Sequence, residues 1–162
     1  MSVALILFLL CATGAEAQTN SDELTKTVAT YELTMPRIDG YGAVMAGIAD
    51  WAGKDPKAIA AMMGRAPKGP MSLQASAAMF EKEPAVKSLL DQHKVTGLDM
   101  VVLPMAVMQA QVAALGESQG RTFPADRINP KNVALAKASG AAIDAVMKKA
   151  QADRLRAFPQ PQ

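Results

Sequence analysis

The sequence predicts an all-α protein, a single compact bundle of five to six helices, and three observations carry that prediction. Alanine, the residue with the highest helix propensity, is the commonest, at 31 of 162 positions. β-Branched runs are almost absent, so no stretch reads as a strand. Proline, glycine and small polar residues fall where helices start and stop. The length suits one domain, and a chain of about 150 residues buries roughly 68–70% of its unfolded surface without a metal or disulfide staple.

The first element reads as an address. Residues 3–13, from Val3 to Thr13, form an apolar run of 11, too short at about 1.5 Å per residue to cross a roughly 30 Å hydrocarbon core. Ala15-Glu16-Ala17 follows, with the small residues that signal peptidase reads at the first and third positions before a cut. Residues 1–17 are therefore expected to be a signal peptide, with a single helical domain over 18–162. The alternative is a retained membrane anchor. No Lys or Arg precedes the run, so the amino terminus alone supplies its positive charge. Cys11 does not make a lipoprotein signal, because Leu10 stands where a small side chain is needed.

Residues 18–33 are less defined: Leu24, Val28 and Tyr31 suit a helical turn, but the threonines weaken it. Thr34-Met35-Pro36 opens a helix in which Ile38, Tyr41, Met45, Ile48 and Ala52 recur at helical spacing up to Gly53. Asp55-Pro56 caps and starts a short helix to about Gly64, and residues 65–70 make a turn-rich connector. Ser72 caps a helix to about Lys82, and Glu83-Pro84 starts another that ends near Lys94. Thr96 with Asp99 forms a capping box ahead of the most apolar helix, about 97–116. A polar loop spans 117–129, Asn129-Pro130 opens a last helix to about Arg156, and residues 157–162 are expected to form a disordered tail. Gly40, Gly42 and Gly47 lack a preceding strand, so they read as close helix-packing points or a loosened first turn and not as a phosphate loop.

Composition excludes several classes. Lys and Arg number 17 against 15 Asp and Glu, too even for binding nucleic acid by counterion release. Aromatic residues make up 4%, too few for base-stacking platforms. Loss of residues 1–17 removes the only cysteine and Glu16, leaving 17 basic against 14 acidic groups and no thiolate for catalysis or metal binding. A cysteine-free secreted chain fits a bacterial periplasm better than the cysteine-rich small domains of eukaryotic secretion. Periplasmic or secreted localisation is expected, with no stable membrane span after cleavage.

Several segments together carry a resemblance. They are Tyr31-Glu32-Leu33-Thr34-Met35 opening a helix, the run from Leu89 to Leu98 ahead of an apolar helix, the stretch Asn129 to Leu135, and Ile143-Asp144-Ala145-Val146-Met147. With the signal peptide, they resemble uncharacterised small secreted all-helical proteins of Gram-negative bacteria. The resemblance implies an all-α fold and carries no functional residue across.

Catalytic chemistry is poorly supplied. His93 is the only histidine, which excludes a triad or a two-histidine metal site, and its place at a helix end suits bonding to free carbonyls. The carboxylates are scattered singly. Cu(I) would need three or more of the ten mature methionines to converge, yet they spread over five segments and read as core filler. Haem held by His93 and a methionine would suit a helical bundle, but covalent attachment is excluded. No cofactor or metal is assigned.

The reading that follows is a helical binding or interaction module, acting on an unknown protein partner or as a homo-oligomer. Its alternative is a carrier of a small apolar ligand. Residues 100–108 hold no polar side chain, so this helix is expected at the centre of the bundle, and Pro104 inside it removes an N–H and presses on the Met100 carbonyl. A kink there would leave irregular space, and an apolar ligand would bind against Met100, Pro104, Met105 and Met108, away from His93. The competing expectation is that the methionines fill the gap completely.

N-terminal sequencing of the protein made in a Gram-negative host should read from Gln18. Full-length protein in the membrane fraction would reject secretion as a soluble protein.

Overall fold

The link Tyr31–Thr34 joins the first two helices of the chain, and its own backbone is held by side chains from far along the sequence. The computed structural model describes residues 14–65, 71–124 and 126–158, and among these it is helical with no strand. Seven helices follow in order: α1 (Gly14–Thr30), α2 (Met35–Lys54), α3 (Pro56–Gly64), α4 (Leu73–Lys82), α5 (Pro84–His93), α6 (Gly97–Ser118) and α7 (Pro130–Ala157). The fold class is all-α, as the composition predicts. The expected count of five to six helices falls short by α1, which forms where the threonines argued against it. Val28 and Ala29 are buried and Leu24 packs on the core, so tertiary contact outweighs a weak local propensity.

The caps explain the boundaries. Thr34, Asp55, Ser72 and Thr96 each accept a backbone N–H three residues on, and Asn129 accepts that of Lys131. Pro36, Pro56, Pro84 and Pro130 stand in the first helical turn, where their missing N–H costs no bond. The capping box at Thr96 is complete, with Asp99 Oδ2 accepting from the Thr96 N–H at 2.8 Å. Lys94 caps the end of α5, and its left-handed backbone (φ 55°) lets the Val95 N–H close on the Leu90 carbonyl at 3.0 Å.

α2 is the hub, packing against α3, α5, α6 and α7, and its Ile38, Val44 and Ile48 are fully buried. Its glycines are contact points, as the sequence suggested. A Cβ on Gly40 would stand 2.9 Å from the His93 carbonyl oxygen, and one on Gly47 would press into Leu89. Bare backbone lets α2 and α5 approach closely. Gly42 does the same for Val146 of α7.

Two boundaries depart from expectation. α6 runs on to Ser118, and Phe123 of the following loop folds back against Gly116. At the other end, Ala157 is the last residue of α7 and buried, and Phe158 packs on the core, so the expected tail from 157 is ordered structure through 158. The expected signal run Val3–Thr13, most of the connector (66–70) and residues 159–162 lie outside the described residues.

One buried amide joins the start of α7 to the link between α1 and α2. Asn132 of α7 accepts the Leu33 N–H on Oδ1 at 2.8 Å and donates from Nδ2 to the Tyr31 carbonyl at 2.7 Å. It thus satisfies two backbone groups of the link, the Leu33 N–H and the Tyr31 carbonyl. Asn132→Ala should destabilise the protein by about 1–3 kcal/mol, the cost of leaving a buried polar group unpaired, as read by the midpoint of urea unfolding.

Candidate functional site

The cleft that stands out among the described residues lies between α1 and α6. α1 runs antiparallel to α6: Tyr31 at its end meets Asp99 in the first turn of α6, while Leu24, a little under two turns earlier, faces Met108 and Val112. Between the two helices lies a groove of about 380 Å³, lined by Leu24, Thr25, Val28, Met105, Met108, Gln109, Val112 and Ile128. No lining side chain is charged.

The α6 wall follows from the spacing of its residues. Leu98, Val101, Met105, Met108, Val112 and Leu115 repeat at steps of three and four, which places them along one stripe of a helix. The opposite face, including Met100, Val102, Leu103, Ala106, Val107, Ala110 and Ala113, is buried. On the stripe, Met108 is 60% exposed, Val112 59% and Leu115 62%. α6 is thus an outer helix with one covered face, and not the centre of the bundle as the run of apolar residues suggested. It is long and apolar enough to cross a membrane by length and composition alone.

The four residues expected to line a ligand site separate. Met105 and Met108 stand in the groove wall, Met100 points into the core at 6% exposure, and Pro104 is half-buried and absent from the lining. α6 also continues as one helix through Pro104. The backbone irregularity falls in α7 instead, at Ser139 (φ −130°, ψ 19°), just before Gly140. The space therefore lies between α1 and α6 and not at a break at the proline. The other wall, Leu24, Val28 and Ile128, escaped sequence reasoning because it lies about 20 or 80 residues from α6 in the chain. The three-four stripe was the available signal on α6 itself.

Where the end of α1 meets the start of α6, the contact is polar and bonded. Tyr31 donates its hydroxyl to Asp99 Oδ1 at 2.5 Å, while Asp99 Oδ2 accepts from the Thr96 N–H and hydroxyl. Burial, and then the neighbouring carboxylate of Asp99, push the Tyr31 hydroxyl well above the usual tyrosine range. The Arg37 guanidinium lies 5.5 Å from the Tyr31 ring centroid and opposes that rise in part. Tyr41 is raised as well, by burial.

A second cleft, about 320 Å³, opens among Met62, Arg65, Ala75, Ala78, Met79, Lys82 and Glu83. Arg65 and Glu83 engage each other across it at 2.5 Å. His93 closes α5, half-buried, and belongs to neither cleft. No group of three or more His, Cys, Asp and Glu side chains that could hold a metal ion converges among the described residues.

Comparison with protein-family models, with curated proteins and with solved structures finds no match to this chain. Function must be read from the groove itself.

The tyrosines set a pH dependence. A group whose folded pKa is raised contributes stability below its unfolded value, near 10.0, and that stability is lost as pH rises beyond it. Denaturant unfolding between pH 8 and 11.5 should therefore show stability falling above about pH 10. Tyr31→Phe should make that decline shallower.

Proposed function

We propose that the protein is an interaction module of the periplasm or of the secreted fraction, and that it takes an apolar surface of a partner protein or of a second copy along the α1–α6 groove. The observation that carries this reading is the exposure of Met108, Val112 and Leu115 in one stripe beside an open, uncharged groove. Soluble chains rarely leave a contiguous apolar strip uncovered unless something docks there. Helical segments dock in such grooves through side chains spaced three and four apart.

A carrier of a small apolar ligand is the second reading. It is kept because the groove volume falls within the roughly 300–1,000 Å³ of ligand sites. A carrier, however, encloses most of its ligand, and here one wall ends in solvent at Val112 and Leu115. The open geometry favours a macromolecular surface over a small molecule.

Native mass spectrometry of protein purified from the periplasm separates the two readings. The interaction reading expects a ligand-free chain in an assembly with itself or with another protein. Val112→Asp should disrupt that assembly by tenfold or more in affinity, a fold-change of about 1.4 kcal/mol, and leave the exposed site folded. A monomer carrying a small apolar molecule would replace this reading with the carrier.

A further inference from the structure

We propose that Met108 is a site of reversible oxidation whose sulfoxide lowers the affinity of the groove for apolar surfaces. The inference rests on the groove reading given above and adds a means of regulating it. A methionine sulfur reacts with a dissolved oxidant when solvent reaches it, and the helices protect their methionines very unequally. Met45, Met62 and Met100 are 4%, 2% and 6% exposed, whereas Met108 is 60% and Met63, at the end of α3, 49%. Met63 takes no part in the groove. Met105, the other methionine of the groove wall, is half-buried, so Met108 is the groove thioether most open to oxidant and placed where a change of polarity alters binding.

Its surroundings make the change consequential. Val112 beside it on the groove wall is aliphatic and inert to peroxide, as are Leu24 and Val28 across the groove on α1 and Ile128. The amide of Gln109 is already engaged, its Nε2 donating to the Arg127 carbonyl at 2.9 Å. A sulfoxide oxygen at Met108 would be stripped of water when the groove fills, which penalises the bound state. With hydrogen peroxide as oxidant, a sulfur lone pair attacks one peroxide oxygen. The S–O bond forms as the O–O bond breaks, and the departing hydroxide takes the proton of the transferred oxygen and leaves as water. Sulfur loses two electrons and the peroxide gains them. Methionine sulfoxide reductases reverse the step.

The test uses N-phenyl-1-naphthylamine, a neutral apolar fluorophore, on the protein purified from the periplasm, before and after mild peroxide treatment. Oxidised positions are mapped by peptide mass spectrometry. Met108 and Met63 should gain oxygen first, with Met45, Met62 and Met100 last. Probe affinity should fall about tenfold or more on oxidation, the scale of losing one buried apolar side chain. The same fall should occur in Met63→Leu, and reductase treatment should restore affinity. In Met108→Leu, compared with its own untreated form, peroxide should leave affinity unchanged. Untreated protein that binds no probe overturns the groove reading and this proposal with it. Probe binding that survives complete oxidation of Met108, or a loss that persists in Met108→Leu, overturns this proposal and leaves the groove reading standing.

Discussion

The side chain of Asn132 bonds the backbone of Tyr31 and Leu33, and the placement of α1 depends on that hold. The link from Tyr31 to Thr34 belongs to no helix, so its buried polar groups need partners from elsewhere. Asn132 supplies one donor and one acceptor, Asn129 adds a second donor to the Tyr31 carbonyl at 3.1 Å, and Asp99 takes the Tyr31 hydroxyl. Three segments distant in sequence, the link, the start of α6 and the start of α7, are thereby fastened at one point. From that point α1 runs back along α6, with Leu24 and Val28 of the one helix across the groove from Met105, Met108 and Val112 of the other. The groove is a consequence of where the chain is pinned.

Completeness matters as much as geometry in this cluster. A buried network stabilises when every member is bonded and penalises when one is not. Among the described residues no buried side-chain nitrogen or oxygen is left without a partner. The Thr96 capping box shares Asp99 with Tyr31, so the carboxylate that starts α6 also positions α1. Helix initiation and groove construction thus use the same side chain.

α6 shows how one helix serves both core and surface. Small residues, Ala106, Ala110, Ala113 and Gly116, lie on its covered side and allow close approach of neighbours and of Phe123. Larger side chains at Met108, Val112 and Leu115 stand on the outer side. Between Asp99 and Glu117 the helix carries no charge to mark that side as solvent-facing. An apolar outer stripe of this kind is what the proposed docking would use.

Local physics made the helices legible. Caps at Thr34, Asp55, Ser72, Thr96 and Asn129, and prolines in four first turns, act within three or four residues, so the chain by itself determined the helical class and most of the boundaries. The packing glycines of α2 were legible for the same reason, since a helical stretch tolerates them only for a purpose. What the tertiary structure alone decided is which face of α6 is covered. A continuous apolar run has no alternation to distinguish inside from outside, and the residues that cover one face come from α2, α4 and α7. Likewise α1 became a helix, and Met105 and Met108 became a groove wall, through contacts with segments tens of residues away that no local pattern encodes.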